Sequence, residues 1–524
     1  MKHVLSLLAA GCLLTVVSAD PLWVRTYGNP YGAFDEVHAI GADDSGDVVV
    51  SGFSQISSTD QEFVTIKYKP NGDTAWVRHF NPGNGRDGAT ALAVDRSGNV
   101  IVTGYTGDAS SSYGPWTTIK YSPAGESLWA TTWEYSVYCL ATDVVVDSAG
   151  NSYVTGRAGS LNYLDFAVVK FDPAGNLVWQ CIYDGGNNDY ADAVAVDLEG
   201  NVYATGSTVV SGNDGLLMTM RISPAGDTLW KNIYPNANNR GDRGMNIAVD
   251  NSGSAIVSGD ISDSAGHTGY ITVKYAPGGD TVWSRRYHGP GNQSDNAMAL
   301  ALDAAGNAYV TGSTWADAHH YDFTTIKYAP DGTERWVVHY PGVSHRAFAD
   351  AIGLDVNANV YVSGYSYDST GGSDVVTVKY DSAGTQRWAE RYDGGFGEDE
   401  ASVLAVGPDS SIFVGGRTNS DSGGMDYMTL KYGVAGAVAE TPSAEVRTPN
   451  VGPTIVRGVL NLGVDSRQHS AYRAELLDIS GKKVLNLHAG PNDASRLAPG
   501  VYFVRPASGV EREASSVTKV IITK

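Results

Sequence analysis

The chain has few cysteines and few positive charges. It has 3 cysteines among its 524 residues, and 36 Lys and Arg stand against 57 Asp and Glu, which gives a formal net charge of -21. Cys12 falls in an N-terminal leader, so Cys139 and Cys181 could form at most one disulfide, and most of the fold must stand without one. A surface short of Lys and Arg also argues against nucleic acid and anionic membrane surfaces as partners.

Long apolar segments and helical patterns are missing as well. The one apolar run of note, from Val4 to Val17, follows Lys2 and precedes the small residues Ser18 and Ala19, as in a signal peptide spanning residues 1–19. This run is too short for a membrane span, and no later segment approaches 18 apolar residues. We therefore expect an exported protein, secreted or at the cell surface, with no transmembrane segment in the mature chain.

Familiar catalytic and metal-binding motifs are absent too. We find no Gly-x-Ser-x-Gly, His-Glu-x-x-His or phosphate-loop motif, and no Cys/His cluster with zinc-ligand spacing. The 11 histidines do not recur at a fixed position. No motif therefore indicates an enzyme or requires a cofactor.

What the chain has in abundance is repetition. Eight of the 11 tryptophans begin the phrase Trp-x-x-x-aromatic at intervals of 50 to 53 residues. Each unit continues with a run of small apolar residues, a run ending in Val-x-Gly and a run containing Ile-Lys-Tyr, separated by turns rich in Gly, Asn and Asp. Four short β-rich runs at such a period predict an all-β fold, a β-propeller of four-stranded blades. The tryptophans are Trp23, Trp76, Trp129, Trp179, Trp230, Trp283, Trp336 and Trp388.

The phase of the repeat predicts how the ring closes. Small residues alternate in the Ala-Val runs, which suits the crowded centre, whereas the bulky Trp runs suit the outer rim. The propeller begins with a Trp run, Leu22 to Tyr27, and ends with Lys431-Tyr432 and no following Trp. We therefore expect residues 22–27 to complete the last blade, which removes an exposed sheet edge.

The repeated phrases resemble a known family. "AVDRSGNVIVTG" and "DFTTIKYAPDGTERW" are similar to the SBBP repeat, named for a seven-bladed β-propeller, over roughly residues 22–433. We count eight units here, with seven blades as the alternative that the resemblance implies. The predicted domains are a signal peptide at 1–19, a propeller at 20–433, a linker of small and polar residues at 434–449, and a C-terminal domain at 450–524.

The C-terminal segment has its own strand pattern. Five runs within residues 455–462, 474–479, 483–487, 500–505 and 518–523 predict a small immunoglobulin-like β-sandwich. "LLDISGKKVLNL", "LAPGVYFVR" and "TKVIITK" resemble the C-terminal sorting domain of type IX secretion substrates. That resemblance implies recognition by the secretion machinery and display at the cell surface. The alternative is a plain immunoglobulin-like module.

Carboxylates also recur with the repeat. One set opens the innermost runs, a second opens Asp-x-x-Gly turns, and a third lies five residues before the repeated Lys. Radial repetition would place each set in a ring, and such rings could bind calcium through oxygen ligands. The alternative is structural, because Asp bonds to backbone N–H groups in turns and pairs with the repeated Lys. The first set, the candidate metal ligands, is Asp35, Asp87, Asp189, Asp242, Asp295 and Asp399.

Loops between the Val-x-Gly and Ile-Lys-Tyr runs differ in every unit. They carry aromatic and polar residues that no turn requires, which suits binding of an extracellular glycan or protein. The alternative is that these aromatics cover blade edges. His319 and His320, with Asp317 or Asp322, are the best candidates for an isolated metal site. The candidate ligand-binding residues are Tyr113, Trp116, Tyr163, Trp315, His319, His320, Tyr321 and Tyr367.

Three functions remain open from sequence. The first is a non-enzymatic binding scaffold that uses the variable loop face. The second is a polysaccharide hydrolase or lyase with carboxylates at the channel mouth. The third is a calcium-stabilised structural component of the cell surface. The symmetry of the repeat distinguishes the scaffold from the enzyme, because the residues of an active site should differ from the repeat. Almost every Asp that we can place recurs with the repeat, which favours the scaffold.

Overall fold

A computed structural model describes most of the propeller region and a set of C-terminal strands. The described residues are 21–29, 34–83, 85–107, 114–160, 163–210, 215–236, 241–291, 293–317, 320–369, 371–420 and 423–433, together with strands between 455 and 523. The predicted signal peptide and linker lie outside these residues. The chain divides between Ala439 and Glu440 into two compact units.

The first unit is a ring of eight four-stranded antiparallel sheets, each a meander from the centre to the rim. The innermost strands are Asp35–Ala42, Asp87–Val94, Tyr138–Val146, Asp189–Val196, Arg243–Val249, Asn296–Leu302, Ala347–Leu354 and Asp399–Val406. The second strands are Val48–Gln55, Val100–Thr106, Ser152–Ser160, Val202–Thr208, Ala255–Ser262, Ala308–Asp317, Val360–Tyr367 and Ile412–Asn419.

The outer half of each blade holds the Ile-Lys-Tyr and Trp runs. The third strands are Gln61–Tyr68, Trp116–Tyr121, Tyr163–Phe171, Leu216–Ile222, Thr268–Tyr275, His320–Tyr328, Ser373–Tyr380 and Met425–Tyr432. The outer strands of blades 1 to 7 are Thr74–Phe80, Ser127–Trp133, Leu177–Tyr183, Thr228–Ile233, Thr281–Tyr287, Glu334–Tyr340 and Gln386–Tyr392. The count of eight blades and the predicted strand order are confirmed.

The ring closes through the N-terminal strand, as predicted. Trp23–Tyr27 is the outer strand of blade 8 and pairs antiparallel with Met425–Tyr432, with Trp23 opposite Lys431 and Tyr27 opposite Tyr427. Blade 8 is therefore built from both ends of the propeller region. This pairing covers what would otherwise be an open sheet edge.

Apolar side chains form clusters between neighbouring blades. Val37, Val50 and Val64 of blade 1, for example, pack with Trp23 and Tyr427 of blade 8. Each blade therefore contributes to a cluster on either side. Because the clusters lie at blade–blade junctions, opening the ring at any one junction exposes apolar surface on two blades.

Seven of the eight repeated tryptophans also bond to the next blade along the chain. The indole Nε1 of Trp23 donates to the carbonyl of Pro70 at 3.1 Å, and Trp76 donates to Pro123 at 3.0 Å. The turn after Pro70 contains Gly72 with φ +85°, and a β-carbon there would lie 2.9 Å from the Trp23 ring. Glycine is therefore required both by the backbone conformation and by the tryptophan packed against it.

The second unit contains a five-stranded and a two-stranded sheet. The order in the larger sheet is Ile455–Arg457, Thr518–Thr523, Gly500–Pro506, Arg473–Leu477 and Lys483–His488. Val459–Leu462 pairs with Gly490–Asp493 in the smaller one. The strands fall on the runs that the sequence indicates, with the first run split in two and Gly490–Asp493 added. The sandwich arrangement remains a prediction.

The two remaining cysteines are not bonded to each other. Cys139 is buried on the innermost strand of blade 3, and Cys181 lies on the outer strand of the same blade. The single disulfide that the sequence allowed is therefore not formed, because the two strands are separated by the rest of the sheet. The described part of the chain contains no helix of the length and apolar character needed to cross a membrane.

Candidate functional site

The meander gives the ring two chemically different faces. The turns after the innermost and third strands share one face, which we call the turn face, and they repeat closely in sequence. The connections after the second and outer strands share the opposite face, which we call the loop face, and they vary from blade to blade. The variable loops are thus gathered on one face, where binding residues commonly lie.

The recurring carboxylates of the turn face have structural partners. Asp43 bonds to the buried Lys67 at 2.7 Å. In blade 3 the second strand carries a tyrosine, and its hydroxyl replaces the lysine as the partner of the Asp. Tyr153 donates to Asp147 at 2.9 Å, and the ammonium of Lys170 lies 5.1 Å from the centroid of the Tyr153 ring. These Asp residues therefore make the bonds that the structural interpretation predicts, and calcium binding by them stays a prediction.

The six candidate metal ligands of the first set are buried, one per blade. They tie the loop-face connections to their own sheets: Asp295 accepts the backbone N–H of Gly289 at 2.7 Å and of Trp315 at 2.8 Å. Burial raises the pKa of all six carboxyls. Each lies in its own blade, and the described residues do not gather them into one group.

A channel of about 370 Å³ runs through the centre of the ring and is lined by all eight innermost strands. Each of these strands contains a β-bulge, so one residue has no partner in the second strand and the ladder is interrupted. The bulged residue lines the channel and does not follow the repeat. The eight bulged residues are His38, Thr90, Thr142, Asp192, Met245, Met298, Asp350 and Ser402.

Several bulged side chains link one blade to the next. The hydroxyl of Thr90 donates to the carbonyl of Ala141 at 2.9 Å, and Thr142 donates likewise to Ala191 at 2.9 Å. Ser402 donates to the carbonyl of Val37 at 2.8 Å, and this bond crosses the closing junction. Small hydroxyl residues at the bulge therefore serve the ring itself.

Two bulged residues are acidic and differ in their partners. Asp192 is paired with the guanidinium of Arg243 through two hydrogen bonds. No positively charged group lowers the pKa of Asp350. Burial, reinforced by the nearby Glu400, raises the pKa of Asp350 to about 8. Asp350 thus presents a carboxyl that holds its proton at neutral pH.

An aromatic cluster lies on the loop face where blades 6 and 7 meet. The ring of Trp315 lies 4.4 Å from Tyr321, Tyr321 lies 4.9 Å from Phe348, and Phe348 stacks on Tyr365 at 5.3 Å. Tyr367 lies 6.0 Å from Tyr365. All five rings are partly exposed, so they form a continuous apolar surface that remains in contact with solvent.

The aromatic cluster adjoins the acidic part of the channel mouth. Phe348 and Asp350 are two residues apart on one strand, and Asp350 and Glu400 both raise the pKa of Tyr365 after burial itself. Arg417 bridges the two carboxylates of the mouth, with Nη2 2.6 Å from Glu400 and Nη1 3.4 Å from Glu36. Aromatic rings, an arginine and carboxyls thus meet at one side of the channel.

Three of the predicted ligand-binding residues, Trp315, Tyr321 and Tyr367, meet in this cluster. Tyr163 is exposed but stands apart on blade 3. Trp116 does not meet them and is corrected: it is 1% exposed, packs 4.5 Å from Trp133 and belongs to the apolar cluster between blades 2 and 3, so it is not available to a ligand.

The histidine pair is only partly described. His320 bonds to Asp317 at 2.6 Å, and its ring lies 5.1 Å from that of His345. His319 and Tyr113 lie outside the described residues. The metal site suggested for His319, His320 and Asp317 or Asp322 therefore stays a prediction.

Sequence reasoning missed Phe348, Tyr365, Asp350, Glu400 and Arg417. They lie on strands, whereas the sequence marks variable residues most clearly in the loops. The signal that would have found Asp350 is the position three residues after the one that carries the first set of carboxylates, which reads His, Thr, Thr, Asp, Met, Met, Asp and Ser around the ring. That position is where the repeat is broken.

Comparison with known proteins adds little to this site. No protein-family model matches the chain. Regulatory protein FlaEY of Caulobacter vibrioides is 42% identical over 78 residues, which is 13% of this chain and 8% of that protein. The chain thus spans under a tenth of the length of the curated relative it matches, and the similarity to the SBBP repeat stays a prediction.

Solved structures give distant matches. The polysaccharide lyase Uly1 has a TM-score of 0.41 and 10% identity, covering 78% of this chain and 91% of that one. An ulvan lyase bound to -[GlcA(1-4)Rha3S]- has a TM-score of 0.39 and 11% identity, covering 77% and 95%. The extracellular domain of a hybrid two-component system from B. thetaiotaomicron has a TM-score of 0.36 and 11% identity, covering 93% and 72%.

Proposed function

We propose that this chain is an exported carbohydrate-binding propeller whose binding site is the aromatic cluster at the channel mouth. The observation that carries the proposal is the run of five partly exposed rings, Trp315, Tyr321, Phe348, Tyr365 and Tyr367, next to the carboxyls of the mouth. The leader and the C-terminal domain, with its resemblance to type IX sorting domains, support the exported location.

The chemistry of the cluster suits a sugar. A pyranose presents an apolar face of C–H groups and a rim of hydroxyls, and rigid aromatic rings with polar tips can cover both. The hydroxyls of Tyr365 and Tyr367 and the guanidinium of Arg346, whose Cζ lies 4.1 Å from the Tyr367 centroid, supply the polar contacts. Carboxylates such as Glu400 accept hydrogen bonds from sugar hydroxyls.

Charge narrows the class of glycan. Glu36 and Glu400 flank Arg417 at the mouth, Asp350 lies near Glu400, and the chain carries a formal charge of -21. A sulfated or uronic-acid polymer would approach a surface of its own sign, which slows association and weakens binding. We therefore propose a neutral polysaccharide as the ligand.

Replacing Tyr321 by alanine should weaken glycan binding about tenfold or more, because a central aromatic residue of a binding surface commonly contributes over 1 kcal/mol. Tyr321 touches both Trp315 and Phe348 and so joins the two halves of the cluster. The measurement is affinity for a panel of neutral polysaccharides by affinity electrophoresis and calorimetry. Tyr163→Ala, on an exposed tyrosine of another blade, is the matched control and should bind as wild type does.

Two results would count against this proposal. One is binding of the wild type to none of the neutral polymers while anionic polymers bind. The other is equal loss in the Tyr321 and Tyr163 variants, which would point to a general surface effect. Retention of affinity in Tyr321→Phe, with loss in Tyr321→Ala, would show that the ring itself carries the binding.

A second candidate is cleavage of the bound polymer. Asp350 keeps its proton near neutral pH while Glu400 pairs with Arg417, and a proton donor beside a second carboxyl group is the arrangement that acid–base catalysis on a glycosidic bond uses. Release of reducing ends, measured on the same samples, tests it. Release lost in Asp350→Asn would support an enzyme, whereas binding without release supports a scaffold.

A further inference from the structure

We infer that the channel mouth has a second sugar subsite, formed by Arg157 and Tyr190 where blades 3 and 4 meet, so that the ligand is an extended chain reaching across the mouth. The inference rests on the proposed glycan-binding function and adds to it the length and the position of the ligand. In a ring of eight blades, the junction of blades 3 and 4 lies opposite the junction of blades 7 and 8. The second subsite is therefore on the far side of the channel from the aromatic cluster.

The strand register places both subsites at the same height around the axis. Arg157, Tyr365 and Arg417 each follow the repeated glycine of their second strand. Each of them pairs with the residue that stands two positions before the bulge of the innermost strand. Tyr190 is that residue in blade 4, as Phe348 is in blade 7. Because equivalent positions of the blades lie at one level of the ring, the two subsites border the same mouth.

Arg157 is an arginine whose N–H groups the protein does not use. Among the described residues, its guanidinium takes part in no hydrogen bond or ion pair. Its contact is the ring of Tyr190, with Cζ 5.2 Å from the ring centroid, and both side chains are partly exposed. A guanidinium stays charged at any ordinary pH and offers several N–H donors in a fixed plane. Donors that no protein group occupies are available to a ligand.

Blade 8 shows how the protein occupies an arginine at this position. Arg417 is held by Glu400 of its own blade, with Nη2 at 2.6 Å, and by Glu36 of the next blade, with Nη1 at 3.4 Å. At the junction of blades 3 and 4, the two corresponding positions carry Leu140 and Tyr190. An apolar side chain and an aromatic ring thus stand where the other junction has two carboxylates, which leaves the donors of the blade 3 arginine open.

A neighbouring arginine is occupied in a different way. Arg243 of blade 5 is paired with Asp192 through two hydrogen bonds. Asp192 follows Tyr190 by two residues on the innermost strand of blade 4 and lines the channel. The second subsite therefore combines an aromatic ring and open N–H donors with a carboxylate close by, which are the kinds of group that also meet in the first subsite.

The chemistry of this subsite suits a sugar unit. Neighbouring hydroxyls of a pyranose present a pair of acceptor oxygens, which the planar fork of a guanidinium can meet with two N–H groups. The exposed part of the Tyr190 ring can cover the adjoining C–H groups. A carboxylate would fit the guanidinium as well, but an anionic polymer would meet the negative surface of this protein. The ligand is therefore a neutral chain long enough to reach from blade 7 to blade 4.

The dependence of affinity on chain length tests the inference. The probes are cello-, xylo-, manno- and malto-oligosaccharides from disaccharide to octasaccharide, titrated into the full chain by calorimetry. We expect affinity for the wild type to rise with length as the chain reaches Arg157. Arg157→Ala should lose about fivefold or more with the long oligomers and nothing with the short ones, whereas Tyr321→Ala should lose affinity for both. Arg335→Ala, on an exposed arginine of the outer strand of blade 6, removes the same charge and should bind as wild type does.

A second variant keeps the arginine and occupies its donors. Leu140→Glu copies Glu400 of blade 8 and places a carboxylate opposite Arg157. It should reduce affinity for the long oligomers about as much as Arg157→Ala does. If Arg157→Ala fails to fold, Leu140→Glu and Arg157→Lys, which keeps the charge without the planar fork, decide the question.

Failure of this inference can be told apart from failure of the proposed function. A wild type that binds no neutral sugar overturns both. Binding that is lost in Tyr321→Ala, but equals wild type in Arg157→Ala and Leu140→Glu at every length, overturns the second subsite alone. A preference for uronic-acid oligomers that disappears in Arg157→Ala would also overturn the inference, because the guanidinium would then recognise a carboxylate and not a neutral sugar.

Discussion

Deleting residues 21–28 should leave the propeller unable to complete its ring, with loss of a single cooperative unfolding transition. The deletion removes the outer strand of blade 8, and the third strand, Met425–Tyr432, becomes an open edge. It also takes Trp23 out of the cluster that joins blades 8 and 1. An exposed edge of this length is prone to pair with other chains, so we expect aggregation as well as unfolding. Urea unfolding followed by circular dichroism, with size-exclusion chromatography, measures both.

Comparing Trp23→Ala with Trp76→Ala tests whether the junction that closes the ring is weaker than a junction within it. Truncating a buried tryptophan typically costs about 3–5 kcal/mol of unfolding free energy. Trp76 is the matched control, because it is 7% exposed against 8% for Trp23 and makes the same bond to the next blade. Its strand, however, is held by the chain at both ends within the ring.

We therefore expect Trp23→Ala to be the more harmful of the two variants. Its strand can detach without breaking any other blade, so limited proteolysis should cut near residue 28 in Trp23→Ala and spare Trp76→Ala. Equal losses of stability and equal protease resistance would show that the N-terminal strand is no weaker than the other outer strands.

The blade count and the closure could be predicted because the residues responsible act locally. The Trp run, the glycine of the following turn and the Asp-x-x-Gly turn each carry their reason in a few neighbouring residues. Gly72, for instance, needs both a positive φ and room for Trp23, and that need recurs at the corresponding turn of blades 2 to 7. Eight copies of one local pattern then fix the number of strands.

The channel lining could not be predicted in the same way. Simple alternation along Val37-His38-Ala39 places each residue on the face opposite its neighbours, but the bulge inserts His38 as an extra residue. A bulge depends on how two strands pair, which no short segment shows by itself. The sequence therefore shows no sign that Asp350, a carboxyl outside the recurring sets, lines the channel.

The aromatic cluster shows the same limit. Phe348 and Tyr365 face each other across two strands of blade 7, and Tyr321 reaches them from blade 6. The sequence marks Tyr321 and Tyr367 as variable but holds no sign that Phe348 joins them. Contact between blades depends on the ring geometry, so the loop residues were found and the strand residues were not.

Asp350→Asn should stabilise the protein at alkaline pH. The folded pKa of Asp350 is about 8, whereas an unfolded aspartate titrates near 4. Between these values the folded state holds a proton that the unfolded state has released, so stability falls as the pH rises from about 4 to about 8. The full shift corresponds to about 5 kcal/mol, and water reaching the half-buried carboxyl will reduce it. Asparagine mimics the protonated form and removes this loss.

Urea unfolding at pH 5 and pH 9 measures the effect, with Asp331→Asn, an exposed turn residue, as the control. The stability of Asp350→Asn relative to wild type should rise from pH 5 to pH 9, whereas Asp331→Asn should follow wild type at both pH values. Parallel pH profiles for wild type and Asp350→Asn would contradict the raised pKa. If the gain is found, the natural chain keeps at this bulge a carboxyl that lowers its stability. Stability is commonly given up where a group serves function, so such a result would favour a role for Asp350 in binding or cleaving the glycan.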